Sequence, residues 1–86
     1  MYETMTIAQI ANVIAQDWRD KKGSPCVYFG ARPYLSAMFD LQTLDDKYGF
    51  DDGRSIVAYF LANATTWRGQ VARAIKKELN RRLKQK

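Results

Sequence analysis

Apolar residues return every three or four positions through most of this 86-residue chain and do not alternate over the length of a strand. That periodicity belongs to packed helices and leaves a β-sheet little to build on. Ile7, Ile10, Ala11, Ile14 and Trp18 fall within about 80° of one another on a helical wheel, with Gln9, Asn12, Gln16 and Arg19 opposite. Thr6-Ile7-Ala8-Gln9 has the spacing of a capping box, and Met5 and Ile10 that of a hydrophobic staple. Lys21, Lys22 and Gly23 suit the helix end. A first helix is predicted near residues 6–22.

Three more helices follow by the same reasoning. Pro33 suits a first helical turn, and Tyr34, Ala37, Met38, Leu41, Leu44 and Tyr48 keep helical spacing, widened by Leu35 and Phe39. Gly49 is expected to end this helix at 33–48, with Phe50 in the contact position of a Schellman motif. Asp51 or Asp52 caps a third helix near 53–63, where Ile56 to Ala62 is apolar all round and implies a buried centre. Thr65 and Thr66 are good N-caps for a fourth at 66–84, with Trp67, Val71, Ala74, Ile75, Leu79 and Leu83 facing inward. The expectation is all-α: one helical domain over residues 1–86, a compact bundle around the third helix. The stretch Cys26-Val27-Tyr28-Phe29, between Ser24-Pro25 and Gly30, is read as a connector whose apolar side chains enter the core. A short strand pairing with another copy is the alternative.

Composition removes whole classes of chemistry. Histidine is absent, which eliminates most acid–base schemes, the usual nucleophilic triads and most zinc sites. The single cysteine, Cys26, forms no internal disulfide and is expected to be buried, as suits a reducing compartment. At this length the chain buries roughly 60–65% of its unfolded surface, enough for one core but not for a cleft between lobes. No basic segment precedes an apolar one near the N-terminus, and the longest apolar run, Ile56 to Ala62, is too short to span a bilayer. These points predict a cytoplasmic protein that is not an enzyme, with no cofactor, no metal and no membrane partner.

Charge is the main functional clue. Residues 66–86 hold eight basic residues and one acid, a net +7, whereas residues 1–65 carry −2. On a wheel with Trp67 at zero, Lys76, Arg73, Lys84, Lys77 and Arg81 fall between roughly 180° and 320°, opposite the apolar arc. Such a stripe can track phosphates, or it can be a solvated face that complements the helix dipole. An ordinary solvated face mixes both signs, and this one does not.

The junction from Leu61 to Gln70 has the length of a helix–turn–helix corner. With helix four as a recognition helix, Thr65, Thr66, Arg68, Gln70 and Arg73 present donors to phosphates or base edges. Gly69 then admits a phosphate, or instead lets the helix cross a neighbour closely. The acidic loop Asp45–Gly53 fails the calcium-loop pattern, since Lys47 and Gly49 occupy ligand positions and no glutamate stands at the twelfth. Its carboxylates are better read as caps. Eleven aromatic residues are a heavy load for so small a body. Tyr28, Phe29, Tyr34, Phe39 and Tyr59 cannot all be buried, and form either an exposed interface patch or the edge of a tyrosine-rich core.

Tyr28-Phe29-Gly30-Ala31-Arg32-Pro33-Tyr34-Leu35-Ser36-Ala37-Met38 and the stretch from Tyr48 through Ser55 to Trp67-Arg68-Gly69 resemble small proteins encoded by bacteriophages and prophages. The likeness covers roughly residues 6–83, departs at Lys21-Lys22-Gly23-Ser24-Pro25-Cys26, and carries no motif of known chemistry. It implies an accessory phage protein that binds nucleic acid or disables a host protein. Two functional expectations follow. The first is nucleic-acid binding through Arg68, Arg73, Lys76, Lys77, Arg81 and Lys84, with Thr66 and Gln70. The alternative is a protein-interaction module that inhibits or regulates a host enzyme or defence system through its aromatics, as a monomer or homodimer.

Overall fold

The computed structural model describes residues 2–20, 22–24 and 26–85. Expectations placed on Lys21, on Pro25 and on Lys86 as part of the basic count lie outside them. In chain order the described residues form α1 (Ile7–Asp17), α2 (Arg32–Met38), β1 (Lys47–Tyr48), β2 (Asp51–Asp52), α3 (Gly53–Ala62) and α4 (Gln70–Lys84). The two strands pair antiparallel, Lys47 with Asp52 and Tyr48 with Asp51. The chain is mostly helical but not purely so, which corrects the all-α expectation. No helix among the described residues is long and apolar enough to cross a membrane.

The start of α1 follows its local signal. The Gln9 N–H donates to Thr6 Oγ1 at 3.0 Å and the Thr6 N–H donates to Gln9 Oε1 at 2.8 Å, closing the capping box. Its end comes earlier than expected. Arg19 Nε donates to the Gln16 carbonyl and Nη1 to the Gly23 carbonyl, while Asp20 Oδ1 accepts from the N–H groups of Lys22 and Ser24. These local bonds offer the backbone a turn in place of another helical turn.

Helix α2 stops at Met38, a correction to the expected span of 33–48. The N–H groups of Phe39, Asp40 and Leu41 donate three residues back, a tightened last turn, and the chain then leaves the helix. Two demands compete with helix beyond that point. The carbonyls of Leu41 and Gln42 accept from the N–H groups of Ala8 (2.8 Å) and Ile7 (3.0 Å), satisfying first-turn donors of α1. Asp46 Oδ2 accepts from the N–H groups of Gln42 and Thr43, which holds its carboxyl below the usual range. Leu41 and Leu44 still reach the core, so the apolar spacing reported burial correctly and conformation wrongly.

Gly49 ends no helix. It takes φ +64° as the first loop residue of the β1–β2 hairpin, where a type II′ turn favours glycine. Phe50, expected in a Schellman contact, stands fully exposed at the tip. Gly53 then opens α3 in a tight seat, where a Cβ would meet the Leu44 carbonyl oxygen at 2.8 Å. Asp52 Oδ1 accepts from the Ser55 N–H at 2.7 Å and caps the helix as one of the two expected residues, its pKa lowered by that bond.

One core gathers all four helices, with α1 and α3 each packed on α2 and α4. Helix α3 is not buried on every side: Ile56, Val57 and Phe60 face in, while Ala58, Tyr59 and Ala62 face out. At the centre the Trp18 and Trp67 rings stack at 5.8 Å, and Phe60 meets both edge-on at 6.3 and 6.4 Å. Of the connector residues Cys26 to Phe29, Val27 packs against the core. Cys26, expected to be buried, is exposed, as are Tyr28 and Phe29.

Candidate nucleic-acid interface

Helix α4 begins at Gln70 rather than near Thr66, so Thr65 and Thr66 are exposed turn residues and not caps. Gly69 is the N-cap, at φ +115°, a backbone state that L side chains rarely adopt. Open space surrounds the place where its Cβ would be, so the close helix crossing expected there does not occur. The link from α3 runs over residues 63–69, longer than the three- or four-residue turn of a helix–turn–helix. Thr66 and Arg68 precede the helix instead of projecting from it.

That link is fastened to the body at Trp67. Its indole Nε1 donates to Asp17 Oδ2 at 2.9 Å, fixing the corner to the end of α1. Lys76 reaches back from the first turns of α4 and donates from Nζ to the carbonyls of Ala64 (2.7 Å) and Trp67 (2.6 Å). Its ammonium also lies 5.8 Å from the Trp67 ring centroid. Burial, and then the nearby Arg68 charge, push its pKa below the ordinary lysine value. Of the five cations expected on one stripe, Lys76 is therefore a structural one. It caps the corner and is half-buried.

Arg81 is divided between two roles. Glu78 is buried, and its carboxylate accepts from Arg81 Nε at 2.8 Å and Nη2 at 2.6 Å. Arg82 Nε donates to the same carboxylate, and Arg82 Nη2 donates to the carbonyls of Tyr2 and Glu3, tying the N-terminal segment to α4. The Arg81 hydrogen bond first, and then those of Arg82, bring the Glu78 pKa down from 4.5 to about 2 despite burial. Arg81 is raised in turn by the Glu78 hydrogen bond, yet its side chain remains 46% exposed.

Arg73, Lys77 and Lys84 are exposed, with Gln70 and Asn80 on the same outward side. Among the described residues, none of these three cations makes an ion pair. From Arg73 to Lys84 the stripe runs about 16 Å along the axis. Arg68 is exposed just ahead of the helix, so Arg68, Arg73, Lys77 and Lys84 are available in full and Arg81 in part. The inward arc is set by Ala72, Ile75, Glu78 and Leu79, while Ala74, expected inside, is exposed. Trp67 had pulled the expected arc toward Ala74, and Trp67 lies on the turn.

The five singled-out aromatics divide. Tyr28, Phe29, Phe39 and Tyr59 are exposed, whereas Tyr34 is half-buried with its ring 5.5 Å from that of Tyr59. Tyr28 and Phe29 lie 5.1 Å apart, and the Tyr28 ring passes over Gly30, where a Cβ would stand 2.6 Å from Tyr28 and 3.0 Å from the Asn63 side chain. Asn63 is one turn beyond Tyr59, so Tyr28, Phe29, Tyr34 and Tyr59 form one neighbourhood at the end of α3. Phe39 belongs to a smaller hollow with Val27, Arg32 and Leu35.

Sequence reasoning missed three participants. Glu78 is the lone acid of the C-terminal quarter, and its spacing to Arg81 and Arg82 is that of a helix-face ion pair. Asp17 as the partner of Trp67 had no local signal, being 50 residues away. Phe50, expected at the end of the second helix, stands at the hairpin tip. No family model, curated protein or solved structure matches the chain.

Proposed function

We propose that this chain is a non-enzymatic binding protein that holds nucleic acid by its phosphates along the outward face of α4. One observation carries the reading: α4 exposes Arg73, Lys77, Lys84 and part of Arg81 and no carboxylate, because its single acid is buried and neutralised. A face of one sign, backed by a rigid core and preceded by Arg68, suits a polyanion better than it suits bulk solvent. The arrangement favours backbone contact over base reading, since the link into α4 is too long for a helix–turn–helix corner and Thr66 lies outside the helix. The resemblance to phage-encoded proteins supplies a matching context, an accessory protein of a phage or prophage.

Binding of nuclease-treated protein to a labelled duplex, followed by anisotropy between about 50 and 200 mM salt, tests this. Four to five phosphate contacts give a slope of about −4 in log K against log salt, with little preference among sequences. No binding at about 50 mM salt, or binding indifferent to salt, overturns the reading.

The exposed neighbourhood of Tyr28, Phe29, Tyr34 and Tyr59 favours a second reading, a protein-interaction module acting on a host enzyme or defence system. Tyrosines on a surface supply large contact area at small entropic cost. A pull-down from nuclease-treated bacterial lysate discriminates the two. Retained proteins that are lost from a Tyr28→Ala/Tyr59→Ala variant support the second reading, and an empty pull-down removes it.

A further inference from the structure

The hairpin tip and the groove beside α4 are two separate surfaces of the chain. Phe50 is 106% exposed, held out by the Gly49 turn and by two strands of two residues each. A single exposed aromatic is common on protein surfaces. What distinguishes Phe50 is its setting, a projecting tip with Asp51 and Asp52 beside it and Asp45 and Asp46 just before the hairpin, against Lys47 and Arg54. Arg54 is itself 3.9 Å from Asp45, and it donates to the Leu83 carbonyl at 3.1 Å, so its charge is turned toward the body. The tip is an apolar knob in a negative collar.

The matching socket lies between the N-terminal segment and α4, a groove of about 590 Å³. Tyr2, Val71 and Ala74 give it an apolar lining, and Lys77, Arg81 and Glu3 line it as charged residues. Its volume falls within the range of roughly 300–1,000 Å³ typical of pockets that accept apolar groups. Glu78 also lines it, but its charge is spent on Arg81 and Arg82. Lys77 with Arg73 and Lys84 nearby leaves the helix side of the groove positive. Phe50 is wholly exposed, so it does not fill the groove of its own chain.

We propose that the groove between the N-terminal segment and α4 receives the Phe50 hairpin of a second copy of this chain. The knob brings an apolar ring to an apolar floor and places Asp51 toward Lys77 and Arg81 of the neighbour, Asp52 being held by the Ser55 N–H. Opposite charges at the rim fix the orientation, and the ring supplies the burial. The contact joins two different patches, so two of them either close a reciprocal dimer or extend head to tail. This inference goes beyond nucleic-acid binding, because neither Phe50 nor the groove floor is needed to hold phosphates; Lys77 and Arg81 belong to both surfaces, so a docked hairpin and a bound duplex compete for them.

The test uses the full chain, freed of nucleic acid by nuclease and a high-salt wash, in sedimentation equilibrium over a wide concentration series. The mass is expected to rise with concentration, and the rise to weaken with salt. Phe50→Ser removes the knob without touching the core, and Ala74→Glu puts a carboxylate on the exposed groove floor. Each is expected to weaken self-association at least about tenfold. In a Cys26→Ser background, mixing Phe50→Cys with Ala74→Cys and adding oxidised glutathione as the oxidant is expected to yield a mixed disulfide between the two chains in preference to either homodimer. Monomer mass up to about millimolar protein, where such weak contacts are still populated, overturns the inference. So does self-association that both substitutions leave unchanged. Duplex titrations of wild type and Phe50→Ser at concentrations where both are monomeric score the nucleic-acid reading separately, since a Phe50→Ser chain keeps all its cations.

Discussion

The inward and outward cations of α4 are the same residue types on one helix, and they do different work. Lys76 and Arg82 face the body, where one closes two carbonyls of the α3–α4 corner and the other ties Glu78 to the N-terminal segment. Arg73, Lys77 and Lys84 face out and, among the described residues, make no ion pair. Arg81 stands between the two groups. A net charge therefore overstates what a surface offers to a partner, because cations engaged by carbonyls and a buried acid are already committed. The outward group also becomes purer by this division, since the one carboxylate of the helix goes inside with them.

The largest effect is expected at the α3–α4 corner. Trp67→Ala is expected to cost about 4 kcal/mol in chemical denaturation, by removing a buried stacked ring and the support of the corner that Lys76 closes. Glu78→Ala leaves Arg82 partly buried without its carboxylate and is expected to cost about 3 kcal/mol. The acid limb sharpens this second case. The folded Glu78 pKa of about 2 lies below its ordinary value of 4.5. Its stabilisation is complete above that ordinary value and is lost as pH falls toward about 2. Stability curves of wild type and Glu78→Gln are therefore expected to run parallel at neutral pH and to converge in acid.

Smaller effects separate the two groups of cations. Lys76→Met keeps the packed stem but leaves the Ala64 and Trp67 carbonyls without their donor, at a cost of about 1–2 kcal/mol by thermal unfolding. Its effect on duplex affinity is expected to stay within about twofold, a single partly buried charge being already committed. Combined substitution of Arg73, Lys77 and Lys84 by Gln should reverse that pattern. Each change is expected to alter stability by no more than about 0.5 kcal/mol, since all three side chains are exposed. Affinity for duplex should fall at least about tenfold at low salt, with the salt slope shallower by about 3. Equal effects of Lys76 and of the outward trio on binding would erase the distinction between them.

Where local chemistry is self-contained, the chain could be read directly. The capping box of α1 needs only Thr6 and Gln9, and Asp52 needs only the Ser55 N–H three residues on. Burial was equally legible at Trp18, Phe60 and Trp67, because large apolar side chains at regular spacing are inside whatever the backbone does. The end of α2 was not legible. It depends on α1 needing acceptors for Ile7 and Ala8, and the 41–42 carbonyls that provide them are remote in sequence. The basic face was half legible, since wheel angles place charges around an axis but do not show which ones reach a carbonyl. Lys76 and Lys77 are adjacent in sequence, yet one is bonded to two carbonyls and the other is exposed.

Read alone, the chain determines helical periodicity, a core built on tryptophan and isoleucine, an absence of histidine chemistry, and a basic C-terminal quarter joined to a mildly acidic body. Each follows from composition or from contacts within one helical turn. The short α2, the hairpin that presents Phe50, the Trp67–Asp17 anchor and the division of cations on α4 are settled only in the folded chain. Every one of them matches a donor to an acceptor, or a side chain to a space, across tens of residues. Such pairings are chosen by competition among all the groups that folding brings together, and local spacing carries no record of who wins.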